Sequence, residues 1–226
     1  MSFPLTAQAF LRDLAANNQR EWFQANKKRY ETELKRPAAS FAEALNRALC
    51  DETGRSLAAK TYRINRDVRF SKDKTPYNEH LRIAFRPVAT AGGGDMANPG
   101  FFLSLEPTEL ILGAGVFQLA GPVLDAHRRA IDDEQTGADL AAVCDTLIAE
   151  GYRLNDADLK KVPSGFDKEH ERGAYLKRKG LALMRGQPLD PKMTEQAFDA
   201  DCLQAFRSVK PLFDWLMDNV VEPEAP

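Results

Sequence analysis

The chain has 226 residues, 43% of them hydrophobic and 28% charged, with a net charge of −2 and a pI near 6.0. That is apolar enough for an ordinary core, too balanced for a disordered chain, and too acidic for a protein that coats nucleic acid broadly. No run of 18 apolar residues occurs, and MSFPLTAQAFLRDLA has neither the basic start nor the unbroken apolar run of a signal peptide, so neither a membrane span nor a leader is predicted.

In chain order, residues 6–16 predict a short helix with Thr6 as its N-cap. From Arg20 a second helical pattern places Phe23, Tyr30, Leu34, Phe41, Leu45 and Leu49 on one stripe. Pro37 within it predicts a kink or a fresh helix start, and Gly54 a stop. Residues 62–70 (YRINRDVRF) alternate apolar and polar side chains, as do Leu81, Ile83 and Phe85, so both stretches read as strands. VATAGGGDMANPG reads as a flexible loop. In FFLSLEPTELILGAGVF, two apolar runs flank Glu-Pro-Thr-Glu, the pattern of a hairpin with a four-residue turn. Helices are predicted at 122–132 and about 136–150, followed by the loop-rich basic stretch LKKVPSGFDKEHERGAYLKRKG. One or two final helices carry Phe198, Leu203, Phe206, Leu212, Phe213 and Leu216 as core candidates. The fold class expected is α+β: a small antiparallel sheet of three to five strands, flanked by N-terminal and C-terminal helices. A single domain is expected over 1–220, with a disordered tail at 221–226.

Charge is distributed unevenly. Residues 60–82 hold seven Lys/Arg against three acids, and residues 160–185 hold eight against three, so the remainder of the chain is acidic. Two basic islands in an acidic body point to a local anion site. On a strand Arg63 and Arg69 share a face, with Asn65 and Asp67 between them, while Arg66 points the other way. Arginine's planar fork suits bidentate contact with phosphate or carboxylate, which makes Arg63 and Arg69 the ligand candidates. The adjoining Ser71, Lys72, Lys74, Thr75 and Tyr77 form a donor-rich turn stiffened by Pro76, and Lys177 and Lys179 are candidates from the second island. Glu21, Arg66 and Asp67 are placed behind these as supporting partners.

Other chemistries fare worse. Asp67, Asp73, Glu79 and His80 lie amid cations that repel a divalent ion, so no metal is predicted, and no cofactor. Gly113-Ala114-Gly115 lacks the remainder of a dinucleotide fingerprint and reads as close backbone packing. No nucleophile stands at an informative spacing from His80, His127 or His170. No general base stands out among Glu21, Asp67 and Asp73, so catalysis is left open. Cys50, Cys144 and Cys202 show no metal or redox spacing and read as free thiols in a reducing compartment, which makes the cytoplasm the expected location.

The stretch RDVRFSKDKTPY resembles that of a widespread, mostly bacterial family of conserved hypothetical proteins, a domain of unknown function. FLRDLAANNQREWFQANKKRYE, the Gly-Ala-Gly of LILGAGVF and LKKVPSGFDKEHERGAYLKRKG support the resemblance, which covers roughly residues 3–217. It implies one full-length domain in which these four stretches share a site or a structural centre, and it brings no activity, substrate or cofactor. The family tends to have Pro after the late His, where this chain has Glu171. The charge pattern is compatible with three functions. The first is binding of a small phosphate- or carboxylate-bearing ligand. The second is a structural or protein-interaction domain whose arginines are internal ion-pair partners. The third is a nucleic-acid-binding module. No membrane partner is expected.

Overall fold

The computed structural model describes residues 3–88 and 97–221. Most of the loop expected at 88–100, and the expected tail from residue 222 onward, lie outside the described residues. The elements run α1 (Leu5–Ala16), α2 (Arg20–Ala25), α3 (Lys27–Arg29), a π-helical turn (Tyr30–Lys35) and α4 (Arg36–Thr53). Next come β1 (Leu57–Thr61), β2 (Leu81–Pro87), β3 (Gly100–Leu105) and β4 (Leu110–Gly115). The chain continues through α5 (Gly121–Asp132), α6 (Glu134–Ala149), β5 (Arg153–Leu154), α7 (Gly173–Leu176), β6 (Ala182–Gln187) and α8 (Glu195–Leu216) to a second π-helical turn (Met217–Val221). The strands form one antiparallel sheet in the order β1-β2-β3-β4-β6-β5, so the fold is α+β.

Six strands exceed the three to five expected, because β5 and β6 flank the basic loop stretch in residues to which the sequence reading assigns no element. The first strand also lies earlier than 62–70, at Leu57–Thr61. Thr6 does not cap α1; the helix starts at Leu5 after Pro4, with no side-chain cap. The long stripe is present, with Phe23, Leu34, Phe41, Leu45 and Leu49 buried. Its proline is handled by a change of helix type. A proline ring collides with the carbonyl four residues back, and the wider turn ending at Lys35 makes room for Pro37 at the start of α4. Gly54 ends α4 in the left-handed conformation (φ 66°), its N–H bonded to the Cys50 carbonyl at 2.9 Å. The hairpin turn falls at Glu106–Glu109, closed by a 2.8 Å bond from the Glu106 N–H to the Glu109 carbonyl. The C-terminal helical region is a single α-helix, with Phe198, Phe206, Leu212, Phe213 and Leu216 fully buried; Leu203 is only half-buried and Cys202 takes the inward position.

By its internal contacts the chain divides into two compact units. The first comprises Met1–Phe85, Phe102–Leu112 and Gly186–Gln204; the second comprises Arg86–Phe101, Gly113–Arg185 and Ala205–Pro226. Two aromatic clusters fill the first: Phe3, Phe41 and Phe198 with ring centroids 5.0–5.7 Å apart, and Phe10, Trp22, Phe23, Tyr30 and Tyr77. α4 is tied to β1 by the Asn46 side-chain amide, which donates to the Leu57 carbonyl at 2.9 Å. In the second unit Phe101 packs on Phe206 and Phe213, and the Trp215 indole N–H donates to the Thr136 carbonyl at 2.9 Å. His127 is buried edge-on to Trp215, and burial beside Arg128 pushes its pKa down to about 4, so the ring is neutral at pH 7. Cys144 and Cys202 are buried free thiols, Cys144 pushed up to about 12 by desolvation; Cys50 is half-buried. No helix among the described residues is long and apolar enough to cross a membrane.

Gly113 and Gly115 bear on β6. A Cβ on Gly113 would stand 2.1 Å from the Leu183 carbonyl oxygen, and one on Gly115 2.2 Å from that of Leu181. Close backbone packing therefore accounts for the Gly-Ala-Gly sequence. Gly115 also has φ 139°, a conformation that side chains rarely adopt. Gly115→Ala is expected to lower stability by about 2–4 kcal/mol through overpacking and backbone strain together. Urea unfolding measures this, and an unchanged midpoint would contradict the close approach.

Candidate functional site

Past Thr61, the last residue of β1, the chain closes a loop. The Tyr62 N–H still bonds to the Arg82 carbonyl at 2.9 Å; after that the backbone leaves the sheet. It returns to itself at Asn65 and Tyr77, which form an isolated antiparallel bridge. The bridge is bordered by bonds from the Arg66 N–H to the Pro76 carbonyl (2.9 Å) and from the Asn78 N–H to the Ile64 carbonyl (2.6 Å). Pairing stops there, since Pro76 has no N–H to carry the ladder further. Hence the expected strand at 62–70 is replaced by a clamped loop. Its alternation survives in the burial: Ile64 is buried, Arg66 and Val68 are half-buried, and Arg63, Asn65, Asp67 and Arg69 are exposed.

The loop's base is anchored from the N-terminal helices. The Asn18 side-chain oxygen accepts from the Tyr77 N–H at 3.2 Å, and its NH₂ donates to the Tyr77 carbonyl at 3.0 Å and to Glu79 Oε1 at 2.8 Å. One side chain thus meets the outer edge of Tyr77 as a neighbouring strand would. The Tyr77 ring is buried and stacks on Phe23 at 4.1 Å. The placement of Tyr77 among the ligand contacts is therefore corrected: its ring face is taken by Phe23. Trp22 likewise packs towards Phe10, at 5.9 Å.

Inside the loop the charges find local partners. The Arg66 guanidinium donates to Asp73 Oδ2 at 2.6 Å and to the Thr75 hydroxyl. Asp73 also accepts from the Thr75 N–H at 2.9 Å, and these contacts, the backbone N–H first, pull its carboxyl down to about 2. Arg69 forks onto Asp67, two residues back, with Nη2 2.7 Å from Oδ2; that hydrogen bond lowers the Asp67 pKa and raises that of Arg69. Arg69's carboxylate partner is thus Asp67, while Glu21 stands exposed in the first turn of α2. Lys74 reaches back to the Val68 carbonyl at 3.0 Å, and the Ser71 N–H approaches the same oxygen at 3.3 Å. Arg63, Lys72 and Lys74 are exposed. Phe70, assigned by alternation to the inner face of a strand, is instead 95% exposed, with the Arg69 guanidinium carbon 5.8 Å from its ring centroid. Behind the loop, His80 lies 3.8 Å from Glu106, and burial together with the Arg82 charge lowers its pKa. The sequence offers no signal for that pair, because Glu106 belongs to a distant hairpin turn.

The second basic stretch belongs to the second unit. There Lys177, Arg178 and Lys179 are half-buried. The Lys177 carbonyl accepts from the Leu159 N–H at 2.9 Å, Arg178 donates to the Asn155 carbonyl at 2.7 Å, and the Lys179 N–H donates to Asp158 at 2.7 Å. His170 is spoken for on both nitrogens: Nδ1 accepts from the Arg172 N–H (2.9 Å), and Nε2 faces Asp132 Oδ1 (3.2 Å). Arg172 is buried, bonded to the Asp132 carbonyl (3.1 Å) and paired with Glu171 (3.0 Å). It lies where a Cβ on Gly137 would be 2.7 Å from its Nε. These contacts make His170 and Arg172 structural. Among the described residues, no group of three or more His, Cys, Asp or Glu is placed to hold a metal ion.

A family model described as conserved hypothetical protein (DUF2461) matches residues 6–215, and the chain belongs to that family. No curated protein matches it. All four stretches that carry the resemblance fall inside the matched region.

This geometry can be checked in two ways. Asn18→Ala leaves both backbone groups of Tyr77 without their partner and is expected to cost about 1–3 kcal/mol, measured by thermal or urea unfolding. Asp73 has a folded pKa below its ordinary 3.8, so its stabilising contacts are complete above about pH 4 and are lost as pH falls through about 2. A carboxyl NMR titration should place its midpoint near 2, and Arg66→Ala should move it upward. A midpoint at the ordinary carboxylate value in the unmutated protein would refute the arrangement.

Proposed function

We propose that this member of the DUF2461 family is an anion-binding protein whose loop 62–80 receives a phosphate- or carboxylate-bearing small ligand. The observation that carries the reading is a loop clamped at its base that carries Arg63, Arg66, Arg69, Lys72 and Lys74, four of them exposed. Arg69 is held in a forked pose by Asp67, but water screens an exposed pair of this kind and leaves it little hold on the guanidinium. An incoming phosphate offers the guanidinium the same forked geometry with more charge, and the Ser71 hydroxyl and Lys72 ammonium lie within the same turn. The reading does not require Lys177 or Lys179. For Arg66 the alternative, an internal ion-pair role, is favoured by its half-buried bonds to Asp73 and Thr75. The free thiols suit a reducing compartment, and we place the protein in the cytoplasm.

Arg69→Ala separates the two readings. In phosphate-free buffer the variant is expected to melt with the parent, since only an exposed pair is lost. With about 10 mM phosphate and a Kd of about 1 mM, the parent gains about 1.4 kcal/mol, or roughly 3–5 °C, and the variant gains less than half of that. A parent that responds no more to phosphate than to chloride of equal ionic strength, or a variant that keeps the full shift, overturns the proposal.

A further inference from the structure

Phe70 is the most exposed large apolar side chain among the described residues: 95%, against 66% for Val88, 44% for Ile148 and 39% for Val123. Scattered apolar side chains on a surface need no explanation. This one has a particular setting. Val68, two residues earlier, is half-buried, and its carbonyl takes both the Ser71 N–H and the Lys74 ammonium. The backbone is therefore folded back on itself on either side of Phe70, and the ring stands at the turn so formed. Its neighbours along the chain are Asp67, Arg69, Ser71, Lys72 and Asp73, with the Arg69 guanidinium beside the ring.

A partner for this tip must combine a flat ring face with negative charge close by. An apolar protein surface fits poorly, since charged groups border the ring. A lipid surface also fits poorly, because a single phenyl flanked by two carboxylates offers no apolar face to insert. A phosphate ester that carries a nucleobase satisfies both demands: bases stack on aromatic rings regardless of sequence, and arginine and lysine hold phosphates. Outside its two basic stretches the chain is acidic, which disfavours the extended contact a duplex needs and suits a nucleotide or a short single strand.

We infer that the ligand of loop 62–80 is a base-bearing phosphate, either a free nucleotide or a single strand, with Phe70 stacking the base while Arg69, Lys72 and Lys74 hold the phosphate. The inference rests on the loop being an anion site and adds the chemical class of its guest.

The test compares the full chain with Phe70→Ala, Phe70→Tyr and Lys72→Ala at low salt. The probes are inorganic phosphate, adenosine monophosphate and a fluorescent twelve-nucleotide oligothymidylate, with phosphatidylserine vesicles as a fourth. Phe70→Ala should weaken binding of the base-bearing probes by about 5–150-fold and leave the phosphate response untouched, and Phe70→Tyr should restore binding. Because the ring carries no charge, Phe70→Ala should keep the salt slope of oligonucleotide binding, whereas Lys72→Ala should reduce it by about 0.7. Tighter binding of the strand identifies a single strand as the source, and equal binding of the mononucleotide identifies a free nucleotide. Equal affinity of Phe70→Ala and the parent for the base-bearing probes overturns the inference. A response to inorganic phosphate without preference for a base also overturns it and leaves the anion reading standing; no response to any anion removes both. Vesicle binding lost in Phe70→Ala, without oligonucleotide binding, assigns the ring to a membrane and refutes the nucleobase.

Discussion

The amide of Asn18 meets the backbone of Tyr77 in both directions, as donor and as acceptor, while Phe23 stacks on the Tyr77 ring. The whole cationic loop depends on that contact. The bridge between Asn65 and Tyr77 has one residue pair and two flanking bonds, too little pairing to hold two segments together in water. Supplied with a second neighbour on its outer edge and a buried ring beneath, Tyr77 becomes a fixed post, and the backbone from Arg66 to Pro76 is suspended from it. The interaction couples the end of α1 and the start of α2 to a segment some sixty positions later. Two of the four stretches that carry the family resemblance thereby share one centre.

The charges above the post are arranged with local economy. Arg66 and Arg69 each find a carboxylate within the loop itself: Arg66 with Asp73, Arg69 with Asp67. The two pairs differ in environment and therefore in meaning. Arg66 is half-buried, and its bonds to Asp73 and Thr75 brace the loop from inside. Arg69 is open to water, where screening leaves its pair little energy, so its geometry is preset without being locked. A single run of sequence thus supplies both a brace and a displaceable contact, and exposure decides which is which.

The fold is legible in the sequence wherever a local signal coincides with a local structure. Glu-Pro-Thr-Glu between two apolar runs is a turn because no other conformation serves both strands, and Gly54 stops α4 because left-handed backbone suits glycine. The stripe from Phe23 to Leu49 is legible for the same reason, although the π-helical turn that admits Pro37 is not. β1 is hidden by composition: in Leu57–Thr61 only Leu57 is buried, so no alternation marks it. β6 is hidden by its setting, a short run after a basic loop, recognisable only through the glycines of its partner β4. At the candidate site, the alternation of residues 62–70 correctly separates Arg66 from Arg63 and Arg69, yet it overstates the strand, because strand length depends on a partner interrupted by Pro76. The burial of Tyr77 hinges on Asn18 and Phe23, far off in the chain, whereas the exposure of Phe70 accompanies a turn onto the Val68 carbonyl that apolar alternation does not register.

The interleaving of the two compact units has a practical meaning for anyone dissecting the gene. Each unit is assembled from three separate pieces of polypeptide, and the boundaries fall within β2, β3, β4, β6 and α8. No single truncation can isolate either one: a piece ending at Gln204 holds every segment of the first unit but carries most of the second with it. A permuted or split version would have to open at a surface turn such as Glu106–Glu109, where the backbone reverses within a single unit.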